Sequence, residues 1–363
     1  MLDRLSSLET FGIKLGLENI SQLCEALGHP ERSFTTLHVA GTNGKGSVTA
    51  MVHAALGAAG LRTARYTSPH LADITERFVI GDAQVDTATF NAVAHDVLDL
   101  ADRLVAGKVL RVLPTFFEAT TAIAFELFRR AGTEIAVIEV GLGGRFDATN
   151  VITPMAGAIT TIGFDHQQHL GGTLGEIAFE KAGIIKTGMT IVAGTLPPSA
   201  IDVVRRVAAE RGATLVEAMS DSRVEADALD GAARVTITTP NARYGPLTLA
   251  LRGDHQVGNA VVAVRLLEAA AAGGVAVAAA DIAAGLTSAR WPARLEYVAV
   301  DGGHRVLLDS AHNAEGAGAL AVHLRRWHPE GPPPPPRRRR LPPRGAARPR
   351  RRCRPGDRRA APA

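Results

Sequence analysis

The residues best placed to do chemistry in this chain are Gly41-Thr42-Asn43-Gly44-Lys45-Gly46-Ser47, between a strand-like run (Phe34 to Ala40) and a helix-like one (Val48 to Ala59, stopped by Gly60). A strand, a glycine turn with a lysine and a helix start together make an anion site. Bare backbone N–H groups and the helix dipole face a phosphate, and Lys45 adds a point charge. The cluster departs from the common P-loop pattern G-x-x-x-x-G-K-[ST]: Val39 stands where the first glycine belongs, and Gly46 separates lysine from hydroxyl. A glycine loop arisen by chance is the alternative at this point.

Other reactive groups follow apolar runs in the same way. Glu139 ends Ile135-Ala136-Val137-Ile138 and precedes the glycine-rich Gly141 to Asn150, whose backbone can approach a ligand closely. An acid at such a strand end is a natural magnesium ligand beside nucleotide phosphates, and a solvated strand-end glutamate is the plainer reading. Ser68 follows another strand-like run, and Pro69 keeps it out of helix geometry; on spacing alone it is a turn serine. His166, in Gly163-Phe164-Asp165-His166-Gln167, reads on chemistry alone as a hydrogen-bonded loop histidine, because magnesium prefers oxygen. Lys181 and Asn259 read as polar residues on helix surfaces.

The elements that must position these groups alternate along the chain. Strands are expected at Thr35 to Ala40, Thr63 to Tyr66, Ile135 to Val140 and Ala156 to Ile162. Helices are expected at Val48 to Ala59, Thr87 to Ala106, Thr115 to Ala131, Leu174 to Ile184 and Ser199 to Arg211. Repeated strand-helix alternation implies an α/β fold with a parallel sheet covered on both faces and ligands at the carboxyl ends of its strands. Arg234 to Thr239 and Leu247 to Leu251, around a turn at Asn241 to Pro246, alternate with period two and predict a small antiparallel hairpin. Helices at His255 to Ala271 and Ala278 to Ser288 follow. The strand Arg305 to Leu308 and the helix Ala314 to Trp327 then open a second α/β domain, which stops at Pro329.

Composition narrows the class. Residues 331–363 hold half of the 20 prolines and 12 arginines against one acid, so of the chain's net charge of +4 the tail supplies about +11 and the remainder is near −7. The basicity therefore belongs to the tail, and a nucleic-acid reading of the whole chain loses support; only non-specific contact through the arginine-rich tail is expected. That tail is read as disordered, and its Pro, Arg, Ala and Gly are what GC-rich codons give out of frame. Two cysteines, Cys24 and Cys353, are too sparse for a disulfide framework or thiolate metal site. The start lacks a secretory pattern, and the run Ala269 to Ala280 is shorter than a membrane span. A soluble, cytoplasmic monomer is expected.

As written, G-T-N-G-K-G-S resembles the phosphate loop of the Mur-ligase superfamily, and in particular that of folylpolyglutamate and dihydrofolate synthases. Motifs in the order of that family run from Gly12 to Asn313. E-V-G-L-G-G-R-F-D-A-T-N is similar to its metal-binding segment, which implies Glu139 and Ser68 as magnesium ligands. D-H-Q with Glu180 to Lys186 resembles its second metal site, which implies His166 and a carbamylated Lys181. H-Q-x-x-N-A implies that Asn259 contacts ATP. Trp291-Pro292-Ala293-Arg294-Leu295-Glu296 resembles P-G-R-L-E, with Ala293 in place of glycine, and implies that Arg294 reaches ATP phosphate. Asp309 with Ser310-Ala311-His312-Asn313 resembles D-G-A-H-N-P and implies a nucleotide contact. Gly12 to Ile20 resembles the entry segment, and Pro114 to Thr120 a helix start near the pterin-bearing substrate.

The resemblance implies a P-loop ATPase domain over 1–293, a partial C-terminal α/β domain over 294–330 and a tail over 331–363. It also implies ATP, Mg2+, L-glutamate and either dihydropteroate or folate as cofactors and substrates. The expected reaction is ATP-dependent amide formation through an acyl phosphate, with Lys45, His166 and Lys181 in catalytic roles and Gly41 to Ser47 holding phosphate. Two alternatives stay open: another Mur-type amino-acid ligase, and a nucleotide-binding protein without ligase activity, which the incomplete C-terminal domain makes credible.

Overall fold

The computed structural model describes residues 2–8, 16–229, 231–300 and 304–327; the expectations for Gly12 to Leu15 and for the tail lie outside the described residues. Runs of small and β-branched apolar residues form eight strands of one sheet: β1 (Thr35–Ala40), β2 (Thr63–Tyr66), β3 (Phe78–Ile80), β4 (Ala83–Gln84), β5 (Ile135–Glu139), β6 (Ala156–Ile159), β7 (Thr190–Ala193) and β8 (Thr214–Glu217). Their spatial order is β4-β3-β2-β5-β1-β6-β7-β8. All neighbours from β2 to β8 are parallel, and β3 and β4 turn back antiparallel at one edge. Strand β5 is buried at every position, as a parallel strand covered on both faces must be.

Eleven helices accompany the sheet among the described residues: α1 (Leu2–Ser7), α2 (Glu18–Ala26), α3 (Lys45–Ala58), α4 (Thr87–Ala106), α5 (Phe116–Arg130), α6 (Gln167–Leu170), α7 (Leu174–Ala182), α8 (Pro198–Glu210), α9 (His255–Ala272), α10 (Ala279–Ser288) and α11 (Ala314–Trp327). The period of two along β5 decides which layer goes where. Val137 joins Met51, Leu56 and Leu266 in the core under α3, α9 and α10, whereas Ala136 and Ile138 join Tyr66, Phe90 and Phe125 under α4 and α5. A third cluster packs α7 and α8 against β6 and β7. Register brings the reactive ends together: Val39 pairs with Glu139 across β1 and β5, and Ala40 with Ile159 across β1 and β6. The loops after β1, β5 and β6 therefore leave from one rim.

The expected hairpin is a three-stranded sheet, β9 (Arg223–Leu229), β10 (Ala232–Thr238) and β11 (Arg243–Thr248). A register shift between Val235 and Ile237 lets the last strand begin at Arg243 rather than at Leu247, so Arg243 to Pro246 of the expected turn are strand. The alternation in β9 sets charges against little more than Val224 and alanine, which is a weak pattern to read. Beyond Arg294, β12 (Glu296–Val300) pairs antiparallel with β13 (His304–Leu308) before α11; the expected single strand is thus a two-stranded ribbon. Among the described residues no helix is long and apolar enough to cross a membrane.

Ile138 is fully buried immediately before Glu139. Ile138→Ala should cost about 2–5 kcal/mol through lost burial and the cavity left behind, measured as a lower denaturation midpoint in urea.

Candidate active site

Strand β1 ends at Ala40 and the chain turns at Gly41, φ +151°. A Cβ at Gly41 would strike Thr160 Oγ1, with Thr160 Cβ and N both at 3.2 Å; glycine lets the two strand exits touch. The loop is then held by its neighbour. The Thr42 N–H donates to Thr161 O at 2.8 Å and the Asn43 N–H to Thr161 Oγ1 at 2.9 Å, while Thr160 Oγ1 donates to Asn43 O at 2.5 Å. Thr42 Oγ1 accepts from the Gly163 N–H at 3.1 Å.

Gly44, left-handed at φ +84°, starts α3, and no side chain caps the helix. The helix begins three residues before the expected Val48, because Lys45-Gly46-Ser47 has no apolar periodicity to read. Consequently the first-turn amides, which have no partner within the helix, belong to the same residues that line the cleft. That arrangement can hold an anion.

Two lysines converge on this loop. Lys45 Nζ donates to Gly41 O at 3.1 Å and to Thr42 O at 3.2 Å, and the buried Lys181 Nζ donates to the same Gly41 O at 3.0 Å. Burial pushes the Lys181 ammonium down to about 7, with the Lys45 charge adding to the effect and Asp165 and Asp147 opposing it. Lys181 is therefore no helix-surface lysine. It arrives because α7 is approached by the glycine-rich loop after β5: a Cβ at Gly144 would sit 2.8 Å from Lys181 O, and the Arg145 N–H donates to Glu180 O at 2.8 Å. Gly144 thus admits helix backbone.

Glu139 forms the opposite wall. Burial raises its carboxyl to about 7 against the pull of Lys45, the Ser68 backbone N–H, Arg294 and Arg65. Its Oε2 is buried without a hydrogen-bond partner. A buried, unpartnered carboxylate oxygen is costly alone, and it fits a hard cation. Ser68 lines the same cleft. Among the described residues no three His, Cys, Asp or Glu side chains form a preformed cage, so a cation here would share few protein donors with phosphate and water, the habit of magnesium. His166 is half-exposed, with Nε2 3.7 Å from Asp165 Oδ1.

The remaining groups close the cleft, about 330 Å³ in volume, which Gly41 to Ser47, Ser68, Glu139, His166, Lys181, Asn259, Arg294 and Asp309 all line. Asn259 is buried over Gly44, its amide donating to Gln256 Oε1 at 2.9 Å. Asp309 spends both oxygens on backbone, accepting from the Leu295 N–H at 3.0 Å and the Ala311 N–H at 2.8 Å. Several participants were not singled out from sequence. Thr160 and Thr161 staple the loop; Asn313 Nδ2 donates to Asn43 Oδ1 at 3.0 Å; Glu315 Oε2 accepts from Asn43 Nδ2 at 3.0 Å. The Asn43 contacts span 270 residues, beyond any local pattern. Asn19 of the entry segment donates to Glu118 Oε2 at 3.3 Å, so two segments read separately meet.

Comparison with known proteins gives a consistent picture. The Mur ligase middle domain matches residues 39–267. The chain is 36% identical over 323 residues to the dihydrofolate synthase/folylpolyglutamate synthase of Bacillus subtilis, covering 87% of this chain and 73% of that protein. It is 36% identical over 310 residues to the folylpolyglutamate synthase of Lacticaseibacillus casei, covering 85% and 72%. A solved Mycobacterium tuberculosis folylpolyglutamate synthase complexed with ADP superposes with TM-score 0.82 at 34% identity, covering 89% of this chain and 73% of that one. A complex of such a synthase with AMPPCP and folate gives 0.83 at 33% identity, covering 90% and 80%.

The Lys181 shift has a sign that stability can report. The amine binds its proton less tightly in the fold (about 7) than in the unfolded chain (10.5), so between those values the unfolded state holds more protons and stability rises with pH. For the unmodified amine the rise is roughly 5 kcal/mol as an upper figure. Glu139, raised from 4.5 to about 7, acts in the lower window, where the folded state holds more protons and stability falls as pH rises. Urea unfolding of Lys181→Met should lose the Lys181 share of the gain between pH 7 and 10, keeping the smaller gain from Lys186, whose ammonium burial pushes down to about 8.

Proposed function

The chain belongs to the Mur-ligase family of dihydrofolate and folylpolyglutamate synthases, which are ATP-dependent ligases, and we propose that its cleft joins L-glutamate to dihydropteroate or to a folate glutamate chain through an acyl phosphate. One observation carries this reading. An uncapped helix start with its lysine, an orphaned buried carboxylate and a buried amine of depressed basicity share one cleft. The AMPPCP-folate and ADP complexes of similar synthases support nucleotide and folate as ligands of the same fold.

A carboxylate cannot expel oxide. Transfer of the γ-phosphoryl group from ATP onto it breaks the terminal P–O bond, releases ADP and leaves an acyl phosphate. The amine of L-glutamate, having lost a proton, then forms the C–N bond and phosphate departs. Lys45 and the first-turn N–H groups of α3 bind the phosphates and offset charge on the transferring group. Glu139 and Ser68, with His166 and a carbamylated Lys181 on the acid's side, would hold Mg2+, which when bound supplies charge neutralisation at the phosphoryl group. Arg294 reaches phosphate, Asn259 faces the nucleotide, and Asp309 positions the Arg294 segment through backbone. The division near residue 293, a cytoplasmic location and a monomeric state belong to the same reading.

The environment of Lys181 supports its carbamylation. A neutral amine is the form that adds to carbon dioxide, releasing a proton as the N–C bond forms. The resulting anion next to Lys45 replaces repulsion with attraction. With 13C-bicarbonate, a carbamate resonance is expected that Lys181→Met lacks; identical spectra would remove the assignment.

The decisive assay is ADP release. It should require both L-glutamate and dihydropteroate or a folate, and Lys45→Ala should lower turnover on the order of 100-fold or more. Release independent of both substrates would refute the reading, and nucleotide binding without turnover would favour a binding protein.

A further inference from the structure

We infer that Trp291 is a positioning residue of the phosphate site, its indole ring filling the space above Gly46 and tying the segment that carries Arg294 to the first turn of α3. The inference rests on the nucleotide reading of that loop.

Two glycines flank Lys45, for different reasons. Gly44 has a left-handed backbone at φ +84°, whereas Gly46 is not among the positive-φ glycines, so backbone conformation does not demand glycine at position 46. Packing does. A Cβ built on Gly46 would fall against Trp291 Cζ2 and Cε2, with Nε1 at 2.9 Å. The departure from the common phosphate loop thus has a specific partner 245 positions away in the sequence.

The ring is also gripped from the sheet. The Arg65 guanidinium lies 5.4 Å from the centre of the Trp291 ring, within the range of a cation–π contact. Arg65 belongs to β2, the strand that leads to Ser68, and its charge acts on Glu139. Its Nε is buried without a hydrogen-bond partner, and the ring face lies next to that cation.

Downstream, the segment is bent in a way that needs anchoring at both ends. Ala293 at φ +51° and Leu295 at φ +47° flank Arg294 in the left-handed region, which residues with a side chain adopt only when held there. On the far side the Ser310 N–H donates to Ala293 O at 3.0 Å and Asp309 holds the Leu295 N–H. On the near side Trp291 is the anchor, and what it rests on is the phosphate loop itself.

The rival explanation is that Gly46 is bare because nucleotide approaches it directly. A suppressor experiment separates the two, reading MgATP affinity by calorimetry and the KM for ATP and kcat of glutamate-dependent ADP release. Gly46→Ala should weaken ATP binding by roughly 10- to 100-fold through overpacking. In a Trp291→Leu background, where the ring is gone, the same substitution should cost about threefold or less, mainly in KM. An undiminished penalty in that background would overturn the inference, while a wild-type protein that binds no ATP would count against the proposed function instead. Should Trp291→Leu fail to fold, the Trp327→Phe protein leaves Trp291 as its single indole. Its emission should shift with MgATP at the midpoint found by calorimetry, and an unmoved emission would overturn the inference.

Discussion

Gly41 O accepts from two ammonium groups, one from its own loop and one from a helix 140 residues later. That convergence is the constraint on which the cleft depends. Two cations on one carbonyl, one of them buried, cannot both keep ordinary proton affinity; burial supplies the larger part of the cost and mutual repulsion adds to it. The outcome is a neutral amine available near neutral pH, next to a fixed positive charge. Small residues make the approach feasible. Gly41 admits Thr160, Gly144 admits the backbone of α7, and the threonines after β6 lock the loop in place.

Glu139 is the counterpart of opposite sign. It is as buried as Lys181 and displaced toward the same pH from the other direction. Burial penalises the charged form of each group. The cleft thus holds two ionisable groups of opposite kind brought to about the same pH.

Much of this was legible from sequence, and what was not has identifiable causes. Strand ends followed by Gly, Ser-Pro or Asp-His marked the rim correctly, because in a parallel sheet loops at the carboxyl ends share one edge. The start of α3 escaped notice because its first turn replaces apolar periodicity with lysine, glycine and serine. Lys181 read as a surface residue because its burial comes from Gly144 and Arg145, more than 30 positions upstream. Strand β9 hid behind alanines, and the reason for Gly46 lay in a tryptophan that no local rule connects to it. Family resemblance supplied roles for Ser68 and His166, which by themselves read as a turn serine and a hydrogen-bonded loop histidine.

The direct test of the convergence is the titration of Lys181 itself, followed through the 13Cε resonances of labelled lysine in wild-type protein and in Lys45→Met, both freed of carbon dioxide. A midpoint near 7 that moves upward when Lys45 is removed is the expected result. A midpoint near the ordinary lysine value, indifferent to Lys45, would show that the two amines do not share this site.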